Sequence, residues 1–144
     1  MRTLICLNII ALLLVSCKTY IIPTNSLIQQ FQGIDSSRLR QVVVRGPLGE
    51  KYQYLANPIS SIICLDQKGR TAQLANSPSI EVRVTHNNQK TVLYFDRLFL
   101  SGSVLKGTGS RFIPSATKEI LLETISKIEI QNGRKNFHYE TRPQ

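Results

Sequence analysis

Apolar and polar side chains alternate with a period of two along most of the chain after Leu39, the pattern of strands that bury one face. Residues 80–85 alternate most regularly, with Ile, Val and Val separated by Glu, Arg and Thr. The polar stretch 87–90 follows and leads into a second apolar segment at 91–96. We therefore predict an antiparallel hairpin over these two segments.

Seven other short segments are predicted strands, because they are rich in β-branched or aromatic residues and are bounded by turn residues. Their bounds are 39–45, 51–56, 59–66, 71–74, 98–100, 104–106 and 120–122. So many short strands, with turns between them, predict an all-β fold, an antiparallel sheet curled into a small barrel or a sandwich.

One short helix is predicted at the N-terminal end of this domain. Within residues 24–32, Leu27, Ile28 and Phe31 fall on one face at helical spacing, and Gly33 follows as a stop signal. The apolar face is small, so we expect the helix only to dock on the sheet. No window after Gly33 shows a strong 3.6-residue period.

The last part of the chain predicts a second hairpin. Segments 125–131 and 136–140 are joined through Asn132-Gly133, and Asn-Gly supplies the two positive φ angles of a type I′ turn. That turn would place Ile128 opposite Phe137, with the apolar residues of both strands on one side.

The N-terminus has the features of an export signal. Residues 1–16 carry one charge, Arg2, followed by an apolar stretch too short to span a bilayer. The four residues Leu14-Val15-Ser16-Cys17 resemble the lipobox of bacterial lipoproteins. The alternatives are an ordinary secretory signal in which Cys17 is incidental, and an uncleaved anchor.

The lipobox resemblance implies cleavage between Ser16 and Cys17 and attachment of a diacylglycerol to the Cys17 thiol. A thiolate is the nucleophile for such a transfer, and no other cofactor is predicted. The chain then divides into a signal peptide at 1–16, a lipidated extended tether at 17–23 and a single β-rich domain at 24–144. Two or three acyl chains anchor a protein stably to a membrane.

The N-terminal segment resembles small uncharacterised bacterial lipoproteins of the Gram-negative envelope. The resemblance rests on Cys17-Lys18-Thr19-Tyr20, on the Ile-Pro that follows and on a short helix that ends near Phe31. That family has no assigned activity to carry over. In the same group of bacteria, an acidic run directly after the cysteine directs lipoproteins to the cell surface. Because Lys18 and its neighbours are not acidic, the resemblance implies an outer-membrane anchor that faces the periplasm.

Composition and charge narrow the classes of partner. The chain has 144 residues, 42% of them hydrophobic, and 18 Lys plus Arg against 9 Asp plus Glu, a net charge of +9. This is the size of one domain, and the apolar fraction argues against a disordered chain. Export excludes nucleic acid as the partner and leaves anionic lipid headgroups or envelope polymers. Arg38, Arg40 and Arg45 either face the membrane or protect a solvated strand edge.

The residues that carry catalytic chemistry are sparse, so we predict a protein that is not an enzyme. His86 and His138 lie in or beside predicted hairpins with no second metal-type ligand nearby. Cys64 lies in an apolar strand and is interpreted as a small buried hydrophobe. The acids are dispersed, and Glu119 with Glu123 is the only near pair.

Seven aromatic residues alternate within the predicted strands and are interpreted as core, with Tyr52 and Tyr54 on one face as a possible exposed platform. They are Tyr52, Tyr54, Tyr94, Phe95, Phe99, Phe137 and Tyr139.

Three hypotheses about function remain open at this point. The first is an envelope lipoprotein whose non-enzymatic β-domain binds a partner protein or an envelope polymer. The second is a barrel that binds a lipid or an envelope precursor, and the third is an enzyme. An unpaired strand edge favours the first hypothesis, an enclosed apolar cavity the second, and a cleft that joins a histidine to an acid the third.

Overall fold

A computed structural model describes residues 18–111, 113, 116–132 and 135–141. Within these residues there are twelve strands and one α-helix, α1 (Thr24–Gln30), and the all-β prediction is confirmed. The strands are β1 (Thr19–Ile21), β2 (Arg40–Arg45), β3 (Lys51–Ala56), β4 (Ser61–Leu65), β5 (Thr71–Ala75), β6 (Ile80–His86), β7 (Gln89–Tyr94), β8 (Phe99–Ser101), β9 (Val104–Thr108), β10 (Thr117–Leu121), β11 (Ile125–Asn132) and β12 (His138–Thr141).

The described strands form three antiparallel sheets. The largest has six strands in the order β5-β4-β1-β11-β6-β7, and the two others have the orders β10-β9-β8 and β12-β2-β3. Because these sheets do not close on themselves, the fold corresponds to the sandwich alternative of the prediction and not to the barrel.

The main core lies on one face of the six-stranded sheet, against α1. Leu27 and Phe31, the predicted apolar face of the helix, are fully buried. The Phe31 ring meets Phe95 edge-on, with ring centroids 5.6 Å apart. The helix ends near its predicted stop, where Gly33 adopts a φ of +77° that few other residues tolerate. The prediction of a single short helix docked on the sheet is therefore confirmed.

The hairpin predicted over 80–85 and 91–96 is confirmed. β6 and β7 pair from Glu81 opposite Tyr94 to His86 opposite Gln89. Asn87 and Asn88 form the turn with φ values of +45° and +59°, the left-handed conformation that asparagine tolerates better than most residues.

The predicted hairpin between the last two strands is wrong. β11 pairs with β1 on one side and with β6 on the other, so neither edge is left for β12. β12 pairs instead with β2, with Tyr139 opposite Val44. Ile128 is buried in the main core, whereas Phe137 packs against the separate core of the small sheet. Because both edges of β11 are already paired, the two segments cannot form a hairpin with each other, and the predicted turn at Asn132-Gly133 lies partly outside the described residues.

Part of the predicted tether at 17–23 belongs to the sheet. The residues of β1 pair with β11 from Thr19 to Ile21, and Ile21 also lies opposite Leu65 of β4. The next residue, Ile22, is buried, and its N–H donates to the Ile128 carbonyl oxygen at 3.0 Å. The segment is extended, as expected before a proline, but it is held in the sheet from Thr19 onward. The predicted signal peptide, Ser16 and Cys17 lie outside the described residues.

Candidate functional site

A cluster of buried charged and phenolic side chains joins the sheet β12-β2-β3 to the rest of the molecule. We call it the Asp96 cluster; it contains Tyr54, Asp96, Arg97, Arg111 and Tyr139. Asp96 is completely buried, and Arg111 and Arg97 are only 4% and 9% exposed. Charged residues are seldom buried to this extent unless they are paired, so the cluster is the first candidate for a functional site.

A 3-10 turn at Phe95–Arg97 positions two members of the cluster. Phe95 fills the main core, while Asp96 and Arg97 follow it in the turn. The buried side chain of Asn57 holds the turn, because its Nδ2 donates to the carbonyl oxygens of Phe95 at 2.8 Å and Leu98 at 3.1 Å. The Asn57 N–H also donates to the Asp96 carbonyl oxygen at 2.7 Å.

Two phenols donate to the Asp96 carboxylate, and one guanidinium donates to one of these phenols. The Tyr54 and Tyr139 hydroxyls donate to Asp96 Oδ2 at 2.5 and 2.9 Å. Arg111 Nη1 donates to the Tyr54 oxygen at 2.8 Å. Burial raises the pKa of Asp96, against the opposing charge of Arg111, and burial together with Asp96 raises the pKa of both tyrosines. The phenols therefore stay protonated and act as donors.

The two guanidinium groups are held mainly by aromatic rings. Arg111 lies 3.8 Å from the Tyr94 ring centroid and 4.7 Å from that of Phe137. Arg97 lies 4.9 Å from the Tyr54 ring centroid and donates to the Ser110 carbonyl oxygen at 3.0 Å. The six ion pairs within the described ranges involve neither arginine.

Three buried polar atoms of the cluster lack a hydrogen-bond partner in the described part of the chain. They are Asp96 Oδ1 and the Nε and Nη2 atoms of Arg111. Buried polar atoms are nearly always satisfied in folded proteins, so these atoms distinguish the cluster from an ordinary structural network.

A small pocket of about 160 Å³ opens beside Arg97. Leu39, Leu55 and Phe99 supply its apolar walls, and Thr108 and Thr117 lie opposite each other on β9 and β10. A second, shallower groove of about 500 Å³ runs between α1 and the residues around Gly102. Both are open to solvent.

Most sheet edges are covered or charged. β7 lies against Gly109, where a Cβ atom would stand 2.8 Å from the Val92 carbonyl oxygen. β8 is covered at Leu100, whose N–H donates to the Ile34 carbonyl oxygen at 2.9 Å. The edge strands β3, β10 and β12 carry charged side chains, which oppose the addition of another strand.

β5 is the exception among these edges. It ends the six-stranded sheet opposite β7, and its sequence TAQLA has neither a charge nor a proline. The Asn76 N–H donates to the Ser60 carbonyl oxygen at 2.9 Å, so these two residues form a hydrogen-bonded pair. In an antiparallel ladder such pairs alternate with pairs whose backbone groups point outward. The backbone groups of Thr71, Gln73 and Ala75 therefore point away from β4, and these three residues are exposed.

The residues that the sequence offered as candidates for catalysis or metal binding do not come together in one site among the described residues. Cys64 is buried in the core, as predicted, and burial raises its pKa. His86 Nε2 lies 2.8 Å from the Thr91 hydroxyl, and His138 is exposed on β12. Glu119 pairs with Lys106 at 2.8 Å across β9 and β10. Among the described residues, no three metal-type ligands come together.

The aromatic prediction is confirmed for Tyr54, Tyr94 and Phe95, which are buried. Sequence reasoning missed Asp96, Arg97 and Arg111. Their local signal was weak, because Asp96-Arg97 directly follows an apolar strand but matches no motif.

Comparisons with known proteins identify no relative. No protein family, no curated protein and no solved structure matches the chain. Of the helices that the described ranges contain, none is both long enough and apolar enough to cross a membrane.

Proposed function

We propose that this protein is an envelope lipoprotein, lipidated at Cys17, whose non-enzymatic β-domain binds a partner protein by strand addition at β5. The open, uncharged edge of β5 carries this proposal, because an unpaired row of backbone donors and acceptors is a template for an extended peptide. The outward N–H and carbonyl groups of Thr71, Gln73 and Ala75 would supply the main-chain hydrogen bonds.

The position of β1 supports a membrane-facing arrangement of the sheet. Thr19 is two residues from Cys17, so a lipid there would hold the sheet within about 7 Å of the membrane surface. Ile21 of β1 lies opposite Leu65 of β4, and Leu65 lies opposite Thr71 of β5. β5 therefore begins near the anchored end and runs away from the membrane, where a partner can reach it.

Binding of a whole lipid or envelope precursor inside the domain is the alternative. The two pockets described above are open, and the one beside Arg97 has a volume of only about 160 Å³. A pocket of that size holds about five water molecules and is too small for an acyl chain. The groove beside α1 is larger, about 500 Å³, but it is shallow and does not enclose a ligand. The edge of β5 is the feature that favours a protein partner.

The anchor is tested with Cys17→Ala. We expect the wild-type protein from membranes to have an intact mass that begins at residue 17 and includes a diacylglycerol, whereas the variant stays uncleaved or leaves the membrane fraction. Cys64→Ala is the matched control, because it removes the buried thiol and should leave lipidation unchanged. An unlipidated wild-type protein in the soluble fraction would contradict the proposal.

The binding edge is tested with Gln73→Pro and its control Gln73→Val. Proline removes an N–H that points away from β4, so the β4-β5 ladder keeps its hydrogen bonds, while valine keeps the N–H and suits a strand. A photo-crosslinker at Thr71 in native membranes should capture one partner in the wild type and in Gln73→Val, and about tenfold less in Gln73→Pro.

Hydrogen exchange on the purified complex then identifies the mode of binding. Protection on complex formation should appear at the amides of Thr71, Gln73 and Ala75. A partner that crosslinks equally well to Gln73→Pro, or that protects β7 instead, would refute strand addition at β5.

A further inference from the structure

The Asp96 cluster carries more positive than negative charge. Two guanidinium groups, Arg97 and Arg111, are buried beside a single carboxylate, Asp96. Even with Asp96 fully ionised, one of these two positive charges has no counter-charge among the residues that the structure describes, and burial, which raises the pKa of Asp96, increases this excess. A buried charge without a counter-charge is unfavourable, and the aromatic rings around the two arginines offset only part of that cost, so binding of an anion beside the cluster would be favoured.

We infer that the pocket beside Arg97 is a binding site for a small anionic group, a phosphate or a carboxylate. Arg97 is the member of the cluster that lines the pocket, whereas Asp96 is completely buried behind it. Its guanidinium is fixed by the Tyr54 ring and by the Ser110 carbonyl oxygen, so it is preorganised to receive an oxyanion.

The rest of the pocket fits this ligand class. Thr108 and Thr117 carry hydroxyls, the side-chain donors that commonly accompany arginine at oxyanion sites. Leu39, Leu55 and Phe99 supply apolar walls, which would pack against the non-ionic part of such a ligand. The volume of about 160 Å³ accommodates a phosphate or a short carboxylate, or the anionic end of a larger molecule. This inference is independent of the β5 edge.

The decisive variants are Thr117→Glu and Thr117→Gln. Thr117 is exposed at the pocket, so neither change disturbs the core, and the two side chains differ only in charge. Full-length protein in a non-ionic detergent is titrated with inorganic phosphate and with acetate, and amide resonances of Thr108 and Thr117 are followed by NMR. We expect saturable shifts in the wild type, affinity within about twofold of it in Thr117→Gln, and affinity at least about tenfold weaker in Thr117→Glu.

Two arginine variants complete the test. Arg97→Gln should abolish saturable binding, and Arg70→Gln, which changes an exposed arginine in an ion pair with Asp66, should leave it intact. Absence of saturable shifts in the wild type, or equal affinity of Thr117→Glu and Thr117→Gln, would overturn the inference even if Arg97→Gln fails to fold.

Comparison of ligands then distinguishes the sources of the anion. Glycerol 3-phosphate presents the phosphate of a lipid headgroup, and inorganic phosphate presents the free ion. Tighter binding of glycerol 3-phosphate would assign the site to a headgroup, and equal binding would assign it to a free anion. Both results support an anion site beside Arg97.

Discussion

A chain that begins at Thr24 is expected to lose at least about 5 kcal/mol of unfolding free energy relative to a chain that begins at Lys18. The shorter chain lacks β1, which lies between β4 and β11 and joins the two halves of the six-stranded sheet. It also lacks Ile22, which is 1% exposed in the main core. Truncating one buried Ile costs about 2–5 kcal/mol, and each lost backbone hydrogen bond costs about 1 kcal/mol more.

Urea denaturation of the two chains measures this loss. Since small domains have total stabilities of about 5–15 kcal/mol, the chain that begins at Thr24 should be largely unfolded without denaturant. The control is Ile21→Ala in the longer chain, because Ile21 is 39% exposed and the change leaves the β1 backbone in place. Its denaturation midpoint should be close to that of the wild type. A cooperative transition of the Thr24 chain at the wild-type midpoint would show that the sheet does not need β1.

Asp96→Ala is expected to destabilise the protein by about 3 kcal/mol. The change removes the common acceptor of the Tyr54 and Tyr139 hydroxyls, and a buried donor left without an acceptor costs about 1–3 kcal/mol. Because those tyrosines belong to β3 and β12, the loss should loosen the small sheet from the rest of the molecule.

Asp96→Asn is the matched control for this prediction. Asparagine has nearly the same shape and keeps a side-chain oxygen for the two phenols, so we expect a loss of only about 1 kcal/mol. Hydrogen exchange should show faster opening of β2, β3 and β12 in Asp96→Ala than in Asp96→Asn. Equal destabilisation by both variants would mean that the charge of Asp96, and not its role as an acceptor, stabilises the cluster.

Local patterns were sufficient to predict most elements of the fold. The β6-β7 hairpin and α1 were predicted because period-two and period-3.6 spacings are properties of short windows. The β11-β12 hairpin was predicted from an equally local signal and is wrong, since β1 and β6 occupy both edges of β11. The role of β1 was missed for the same reason, because a three-residue strand has no period to detect.

The candidate site could not be predicted in this way. The hydroxyl of Tyr54 reaches a carboxylate 42 residues away, and Arg111 reaches back 57 residues to Tyr54. Such contacts follow from the packing of separate strands, and no spacing in the sequence encodes them. The aromatic residues of the cluster are predicted to lie in the core. Arg97 and Arg111, which pack against them, contribute to the sequence analysis only through the net charge.

The sequence by itself determined the class of the fold, the positions of most strands and the helix, and the prediction of a lipid anchor at Cys17. These properties depend on residues that are neighbours in the chain. Only the tertiary structure decided which strands pair, that Asp96, Arg97 and Arg111 are buried together, and that β5 has β4 as its single partner strand among the described residues. Each strand edge and each apolar face has several possible partners. Which partners are chosen depends on the combination that pairs the most edges and buries the most apolar surface at once, and this is determined only when the whole chain packs.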